Sequence, residues 1–116
     1  MKSILLVDDD EALAYSLARH FETAGFTVRA VRSSMAALTI LDSDYEIDLV
    51  LTDLVMPEGE PNGLALGRMA RMKRLGVKLV FISGYDFDEN SLPGKLFRKP
   101  VDADHLMTEI GTLLSA

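Results

Sequence analysis

Short apolar segments alternate along this chain with segments whose apolar residues recur at helical spacing. The first, Ile4 to Val7, is continuously apolar, which is typical of a strand buried on both faces. Four further strands are predicted: an alternating edge strand from Phe26 to Ala30, and apolar strands over 47–52, 77–82 and 95–98. Because helical segments separate the strands, the pattern predicts an α/β fold with a parallel sheet.

The segments between the strands carry the start and stop signals of helices. Leu13, Leu17 and Phe21 recur on one helical face, and Gly25 follows where a left-handed C-cap would end the helix. Three more helices are predicted: one capped by Ser33 or Ser34 with Ala37, Leu38 and Leu41 inward, one over 64–75 with Arg68, Arg71, Lys73 and Arg74 outward, and one capped by Asp102 with Leu106, Ile110, Leu113 and Leu114 inward.

Composition narrows the possible functions. A length of 116 residues suits one domain, and a net charge of −6 without a basic run argues against binding to nucleic acid. The early apolar segment is too short for a signal peptide or membrane span, so we expect a cytoplasmic protein without membrane contact. With no Cys, and with His20 and His105 far apart, a Cys or His metal site is not expected. Any chemistry must therefore use carboxylates, hydroxyls and Lys.

Polar residues follow the predicted strands where each strand ends. They are Asp8, Asp9 and Asp10 after the first strand, Asp53 after the third, Ser83 and Gly84 after the fourth, and Lys99 and Pro100 after the fifth. Parallel strands deliver their carboxyl ends to the same edge of a sheet, where ligands bind. We therefore expect several carboxylates, a hydroxyl and a Lys ammonium to share one edge.

Carboxylates packed this closely repel each other, so either one of them holds a proton or a cation lies between them. Mg²⁺ is the simpler answer, because it prefers oxygen ligands and is typically held by one or two carboxylates together with a phosphate. A carboxylate can also act as a nucleophile and form an aspartyl phosphate. A Lys ammonium and a Ser hydroxyl are suited to holding the phosphoryl oxygens.

In its motifs the chain resembles the receiver domain of two-component response regulators. Four motifs occur in the family's order: Leu6-Val7-Asp8-Asp9-Asp10, Leu51-Thr52-Asp53-Leu54-Val55-Met56-Pro57, Phe81-Ile82-Ser83-Gly84 and Phe97-Arg98-Lys99-Pro100. The resemblance spans nearly the whole chain. It implies a single receiver domain over residues 1–116 with a flavodoxin-like, doubly wound sheet of five parallel strands in the order 2-1-3-4-5.

The resemblance also implies a role for each site residue. Asp53 would accept a phosphoryl group from a phosphohistidine on a histidine kinase or phosphotransfer protein, and so switch a surface that binds an unknown downstream protein. The remaining roles are Mg²⁺ binding by Asp8, Asp9, Asp53 and the Val55 backbone carbonyl, phosphoryl binding by Ser83 and Lys99, and a cis bond before Pro100. Asp10 fits a helix N-cap better than a metal ligand. The domain would be no ordinary enzyme, because it would catalyse only its own phosphorylation and dephosphorylation.

Two alternatives belong to other functional classes. A phosphatase of the haloacid dehalogenase type also forms an aspartyl phosphate, and Asp8-Asp9-Asp10 fits its Asp-x-Asp motif. However, no acidic pair after Lys99 matches that family's later metal ligands, no cap domain fits, and Asp53 would have no task. Turnover of a phosphomonoester would favour this phosphatase. The second alternative is a phosphate-independent interaction domain of receiver shape, against which the presence of every site residue type argues.

Two positions depart from the receiver pattern. The usual Asp-Gly pair after the phosphoacceptor is Asn62-Gly63 here, and it follows a loop that is longer by two residues and carries Glu58 and Glu60. Receivers usually have an aromatic residue three positions before the Lys, but here that position is occupied by Leu96. Phe97 cannot replace it, because successive side chains of a strand point to opposite faces. We therefore do not expect the family's usual aromatic switch.

The segment from Gly84 to Gly94 is short and polar for a crossover that ordinarily contains a helix. Only Tyr85, Phe87 and Leu92 could anchor it to the sheet. We predict that the family's fourth helix is absent or reduced to about one turn. The segment would then be mobile, and phosphoryl capture by Ser83 would order Gly84 and Tyr85 in place of a switch at Leu96. The Phe81-x-Ser83-Gly84-Tyr85 run resembles receivers that lack this helix.

Overall fold

The computed structural model describes residues 2–115 and contains one five-stranded sheet and four α-helices. The strands are β1 (Ser3–Val7), β2 (Thr27–Val31), β3 (Leu49–Asp53), β4 (Lys78–Ser83) and β5 (Lys95–Arg98). The helices are α1 (Glu11–Thr23), α2 (Ser34–Leu41), α3 (Gly63–Lys73) and α4 (Ala103–Ser115). All paired strands are parallel in the order β2-β1-β3-β4-β5, which confirms the predicted fold and strand order.

Successive side chains of the central strands enter two separate core layers. Ile4 and Leu6 pack with α1 and α4, whereas Leu5 and Val7 pack with α2 and α3. This division follows from the strand period of two, because a continuously apolar strand has both faces to bury. Helices therefore cover both faces of the sheet, and its carboxyl edge remains open for a site.

The helix starts are capped by the expected kinds of side chain. Asp10 caps α1 by accepting a hydrogen bond from the Leu13 amide at 3.1 Å, and Asp102 accepts bonds from the Asp104 and His105 amides at the start of α4. Ser33 caps α2, which decides between the two candidate serines.

Several strand boundaries differ from the prediction by one or two residues. β3 begins at Leu49 rather than at residue 47, and the Asp48 carboxylate just before it accepts a hydrogen bond from the Ser3 amide at 2.7 Å. Asp53 and Ser83 are the last residues of β3 and β4 rather than the first residues beyond them. The candidate site is thus held directly by the sheet.

Arg74 was expected on the solvated face of α3, and that expectation is wrong. Its guanidinium donates hydrogen bonds to the carbonyls of Leu41 and Ser43 at 3.0 and 2.7 Å. These carbonyls lie at the end of α2, where the last turn of a helix lacks intrahelical donors. Arg74 therefore joins α3 to α2 by supplying those donors.

Between β4 and β5 the structure has one 3₁₀ turn, Glu89–Ser91, which confirms that the usual helix is reduced to about a turn. Leu92 packs against the core, but Tyr85 and Phe87 are 66% and 41% exposed, so the expectation that they could anchor the segment is wrong. A Cβ at Gly94 would lie 2.1 Å from the Leu79 carbonyl oxygen, so the returning chain passes close to β4. No helix within residues 2–115 has the length and apolar character needed to cross a membrane.

Candidate functional site

Three carboxylates meet at the carboxyl edge of the sheet, as predicted. Asp8 and Asp9 follow β1, Asp53 ends the adjacent strand β3, and one carboxylate oxygen from each lies within 4.8 Å of the others. Asp8 and Asp53 are buried, whereas Asp9 is exposed. The cluster therefore consists of two buried carboxylates, Asp8 and Asp53, and one carboxylate that faces solvent, Asp9.

Asp8 is the most deeply buried of these groups, with no exposed surface. Its Oδ1 accepts a hydrogen bond from the Asp10 amide at 2.8 Å, but its Oδ2 has no hydrogen-bond partner within the part of the chain that the structure describes. Burial raises the pKa of Asp8, and the Asp53 charge adds to this rise, while the Asp10 amide and Lys99 oppose it. A buried oxygen without a partner is a group that a bound cation would satisfy.

Both carboxylate oxygens of Asp53 have partners. Oδ1 accepts a hydrogen bond from the Val55 amide at 3.1 Å, and Oδ2 accepts one from Lys99 Nζ at 2.7 Å. Lys99 Nζ lies farther from Asp8 Oδ2, at 3.4 Å. Burial alone would lower the pKa of Lys99, but the hydrogen bond to Asp53 and the charges of Asp53 and Asp8 outweigh it and raise that pKa. The Lys99 side chain is therefore an ammonium ion paired with Asp53.

The backbone of β4 and β5 positions the hydroxyl and the ammonium. Ser83 is fully buried, and its carbonyl accepts a hydrogen bond from the Lys99 amide at 2.9 Å. The Ser83 hydroxyl oxygen accepts a hydrogen bond from the Tyr85 amide at 2.9 Å, which connects the site to the segment that follows β4. The Lys99–Pro100 bond is cis, the isomer that the family resemblance implies.

The donor set suits a hard divalent cation. All three clustered acidic groups offer oxygen, and Mg²⁺ prefers oxygen ligands. The buried Asp8 Oδ2 without a hydrogen-bond partner is a second, independent feature that fits a cation. Asp10 is absent from this group because its carboxylate caps α1, and the phosphatase alternative needed Asp10 as the second residue of its Asp-x-Asp motif.

The loop between β3 and α3 contacts α2. Glu60 Oε1 accepts a hydrogen bond from the Ser34 amide at 2.8 Å, and the buried Ser34 hydroxyl donates one to the Pro61 carbonyl at 2.6 Å. Glu58 remains exposed. The sequence singled out Glu60 but not its partner, because Ser34 was considered only as a helix cap.

Asn62 and Gly63 start α3 directly against the acceptor strand. The Asn62 side chain caps the helix by accepting the Ala65 amide at 2.8 Å. A Cβ on Gly63 would lie 2.1 Å from the Asp53 carbonyl oxygen, so only glycine fits this backbone. The amino end of α3 thereby rests on the strand end that carries Asp53.

The residues expected to carry an output signal are distributed between two elements. Gly84, Tyr85 and Phe87 are exposed on the segment after β4, whereas Leu96 lies half-buried on β5. Leu96 packs in the core layer of α2 and α3, and Phe97 packs in the opposite layer, which confirms that they occupy opposite faces. These residues lie outside the carboxylate cluster.

Comparison with known proteins gives one consistent family. The family model described as the response regulator receiver domain matches residues 4–110. The chain is 32% identical over 122 residues to the response regulator receiver protein CpdR of Brucella abortus (strain 2308), covering 100% of this chain and 99% of that protein. It is also 32% identical over 119 residues to the sensor kinase CckA of the same organism, covering 97% of this chain but 12% of the kinase.

Solved structures give the same result. A response regulator receiver protein from Sinorhizobium medicae WSM419 aligns with a TM-score of 0.90 and 34% identity, covering 99% of this chain and 95% of that chain. The receiver domain of the hybrid histidine kinase CckA aligns with a TM-score of 0.84 and 28% identity, covering 97% and 98% of the two chains.

Proposed function

Because this chain belongs to the receiver-domain family of response regulators, the phosphoacceptors of two-component signalling, we propose that Asp53 accepts its phosphoryl group. The observation that carries the proposal is the setting of Asp53. It ends a buried strand, with the Asp8 and Asp9 carboxylates on one side and the Lys99 ammonium 2.7 Å from Oδ2. We further propose that residues 1–116 form a single receiver domain.

The donor would be a phosphohistidine on a histidine kinase or phosphotransfer protein. An oxygen of Asp53 attacks phosphorus, the new O–P bond forms as the P–N bond breaks, and the histidine ring nitrogen takes up a proton as it leaves. Transfer of this kind depends chiefly on alignment and charge neutralisation. The Lys99 ammonium would neutralise the negative charge of one phosphoryl oxygen, and the Ser83 hydroxyl would donate a hydrogen bond to another.

Asp8, Asp9, Asp53 and the Val55 backbone carbonyl would hold Mg²⁺. When bound, Mg²⁺ supplies positive charge that offsets the carboxylates and the developing charge of the phosphoryl group. The buried Asp8 carboxylate supports this assignment, because its Oδ2 has no hydrogen-bond partner among residues 2–115. Asp9, the exposed member, would also face the incoming phosphodonor.

The family consists of signalling domains rather than classical enzymes. We infer that this chain catalyses only its own phosphorylation and the hydrolysis of its phosphoaspartate. The hydrogen bond from the Tyr85 amide to the Ser83 hydroxyl supports a path for the signal, since a shift of Ser83 toward the phosphoryl group would act directly on the following segment. That segment would then change its contacts with a downstream protein.

Intact mass spectrometry after incubation with acetyl phosphate and Mg²⁺ tests this function. The wild-type chain should gain the mass of one phosphoryl group, and Asp53→Asn should gain none. A gain that persists in Asp53→Asn would exclude Asp53 as the sole acceptor. Continuous hydrolysis of a phosphomonoester by the wild type would favour the phosphatase alternative.

A further inference from the structure

Strand β5 forms one edge of the sheet, and half of its backbone groups face away from β4. The Lys99 amide donates to the Ser83 carbonyl, and the backbone groups of successive residues in a strand point in alternating directions. The N–H and C=O groups of Leu96 and Arg98 are therefore directed outward. Such an edge is a template for pairing with another strand unless the protein covers it.

A carboxylate occupies the central position of this edge. Glu89 Oε2 accepts a hydrogen bond from the Leu96 amide at 2.9 Å, where the carbonyl oxygen of an added strand would otherwise bind. Glu89 belongs to the 3₁₀ turn that replaces the family's fourth helix. This turn therefore covers the edge with a side chain rather than with a packed helix.

A second carboxylate of the same segment contacts the next outward residue. Asp86 forms an ion pair with Arg98, and both side chains are largely exposed. The segment between β4 and β5 is thus attached to the edge through two acidic side chains, one on a backbone amide and one on a guanidinium. Exposed ion pairs contribute little to stability, so the contact between Asp86 and Arg98 is readily exchanged.

We propose that the outward edge of β5 binds an extended acidic segment of a partner protein as a sixth strand, and that Asp86 and Glu89 occupy this edge in the unphosphorylated state. The partner's main chain would replace the Glu89 carboxylate at Leu96 and pair with Arg98. A groove of about 450 Å³ beside the edge, lined in part by Leu96, Phe97, Val101 and His105, would receive its side chains.

The charges of the edge determine the chemistry of the partner. Lys95 and Arg98 are the exposed residues of β5, and their present partners, Glu109 and Asp86, are acidic. A second copy of this chain is disfavoured, because antiparallel pairing of two β5 strands about a twofold axis at Phe97, which pairs the outward Leu96 of one copy with Arg98 of the other, would place Lys95 opposite Lys99. Like charges directly opposite each other destabilise a strand pair. An acidic strand matches both cations.

Control of this edge by phosphorylation rests on the proposed function. Tyr85 donates its amide hydrogen bond to Ser83, and Asp86 is the next residue. A shift of Ser83 toward the phosphoryl group would therefore pull on the residue adjacent to the Asp86 contact. Release of Asp86 and then of Glu89 would expose the edge to the partner.

The experiment uses the full chain, NMR of ¹⁵N-labelled amides, and an acetylated and amidated Glu-Val-Glu-Ile-Glu-Val peptide as the probe. The double variant Asp86→Ala/Glu89→Ala frees the edge without phosphorylation, and both positions are exposed, so the fold should be retained. The matched control, Asp44→Ala/Glu46→Ala, also removes two exposed carboxylates but lies before β3, which β4 separates from β5. Three control peptides are used: one carries Lys in place of Glu, and the other two carry N-methyl groups at alternate amides, one peptide for each phase of the alternation.

The double variant should bind the probe at least about tenfold more tightly than the wild type or the matched control, with the largest shifts at the Leu96 and Arg98 amides. The Lys peptide should bind more weakly, and one of the two N-methylated phases should not bind. Absence of shifts at Leu96 and Arg98 in the double variant would overturn strand addition. Dimerisation of that variant without peptide would replace the acidic partner by a second copy.

A separate arm tests the control by phosphorylation. Wild-type protein with beryllofluoride and Mg²⁺ should gain the affinity of the double variant. If beryllofluoride binds, as read by ¹⁹F NMR, but affinity is unchanged, the gating step is wrong and the edge site stands. If beryllofluoride does not bind, the phosphoacceptor function fails, while the double variant still reports on the edge.

Discussion

Substitution of Gly63 by Ala should damage the acceptor strand through its backbone. An added Cβ would lie 2.1 Å from the Asp53 carbonyl oxygen and 2.7 Å from Leu54 Cα, and neither atom belongs to a flexible side chain. Relief of these contacts requires α3 to move by roughly 1 Å from the strand, and overpacking of this kind typically costs about 1–3 kcal/mol. The movement would also stretch the hydrogen bond from the Gly63 amide to the Leu54 carbonyl, now 2.9 Å, which is worth roughly another 1 kcal/mol.

We therefore expect Gly63→Ala to lower the free energy of unfolding by about 2–4 kcal/mol, measured by urea denaturation at an unchanged slope. Gly111→Ala is the matched control, because Gly111 lies within α4 and a Cβ there meets no atom within 4 Å. That change should raise stability by about 0.5–1 kcal/mol through helix propensity. The phosphorylation rate with acetyl phosphate should fall only in Gly63→Ala. Wild-type stability and phosphorylation in Gly63→Ala would refute the close-contact argument.

Three further outcomes are expected. The wild-type protein should bind Mg²⁺ in the millimolar range, and Asp9→Asn should bind it more weakly, as measured by NMR titration. Glu58→Gln is the control, because Asp9 belongs to the carboxylate cluster and Glu58 does not. Equal Mg²⁺ affinity in the two variants would contradict the ligand assignment. Arg74→Ala should lower the free energy of unfolding by about 1–3 kcal/mol, because it leaves the α2 carbonyls unpaired. In Arg71→Ala, where the side chain is exposed, the free energy of unfolding should stay within about 0.5 kcal/mol of the wild-type value. Amide exchange across residues 84–94 should be fast in the free protein and change with beryllofluoride and Mg²⁺; strong protection in the free protein would show that the segment is ordered before phosphorylation.

The sequence alone determined the layers of this protein and the edge on which its chemistry lies. Continuous apolar strands must bury two faces, so Ile4 to Val7 already requires helices on both sides of a parallel sheet. Parallel strands end at one edge, so the sequence already predicts that Asp8, Asp53 and Lys99 lie close together. The reduced helix before β5 was predictable as well, because a short polar segment has too little apolar surface to pack.

Only the tertiary structure decided which polar atoms are satisfied and by what. The Asp8 oxygen without a hydrogen-bond partner, the Arg74 contacts with the end of α2, and the Glu89 carboxylate on the β5 edge each depend on groups from different elements. Periodicity assigns a residue to a face, but it does not specify where a long side chain ends or which backbone group it meets. Those contacts are set by the packing of helices and loops against the sheet, because hydrogen bonds require positions accurate to a few tenths of an ångström.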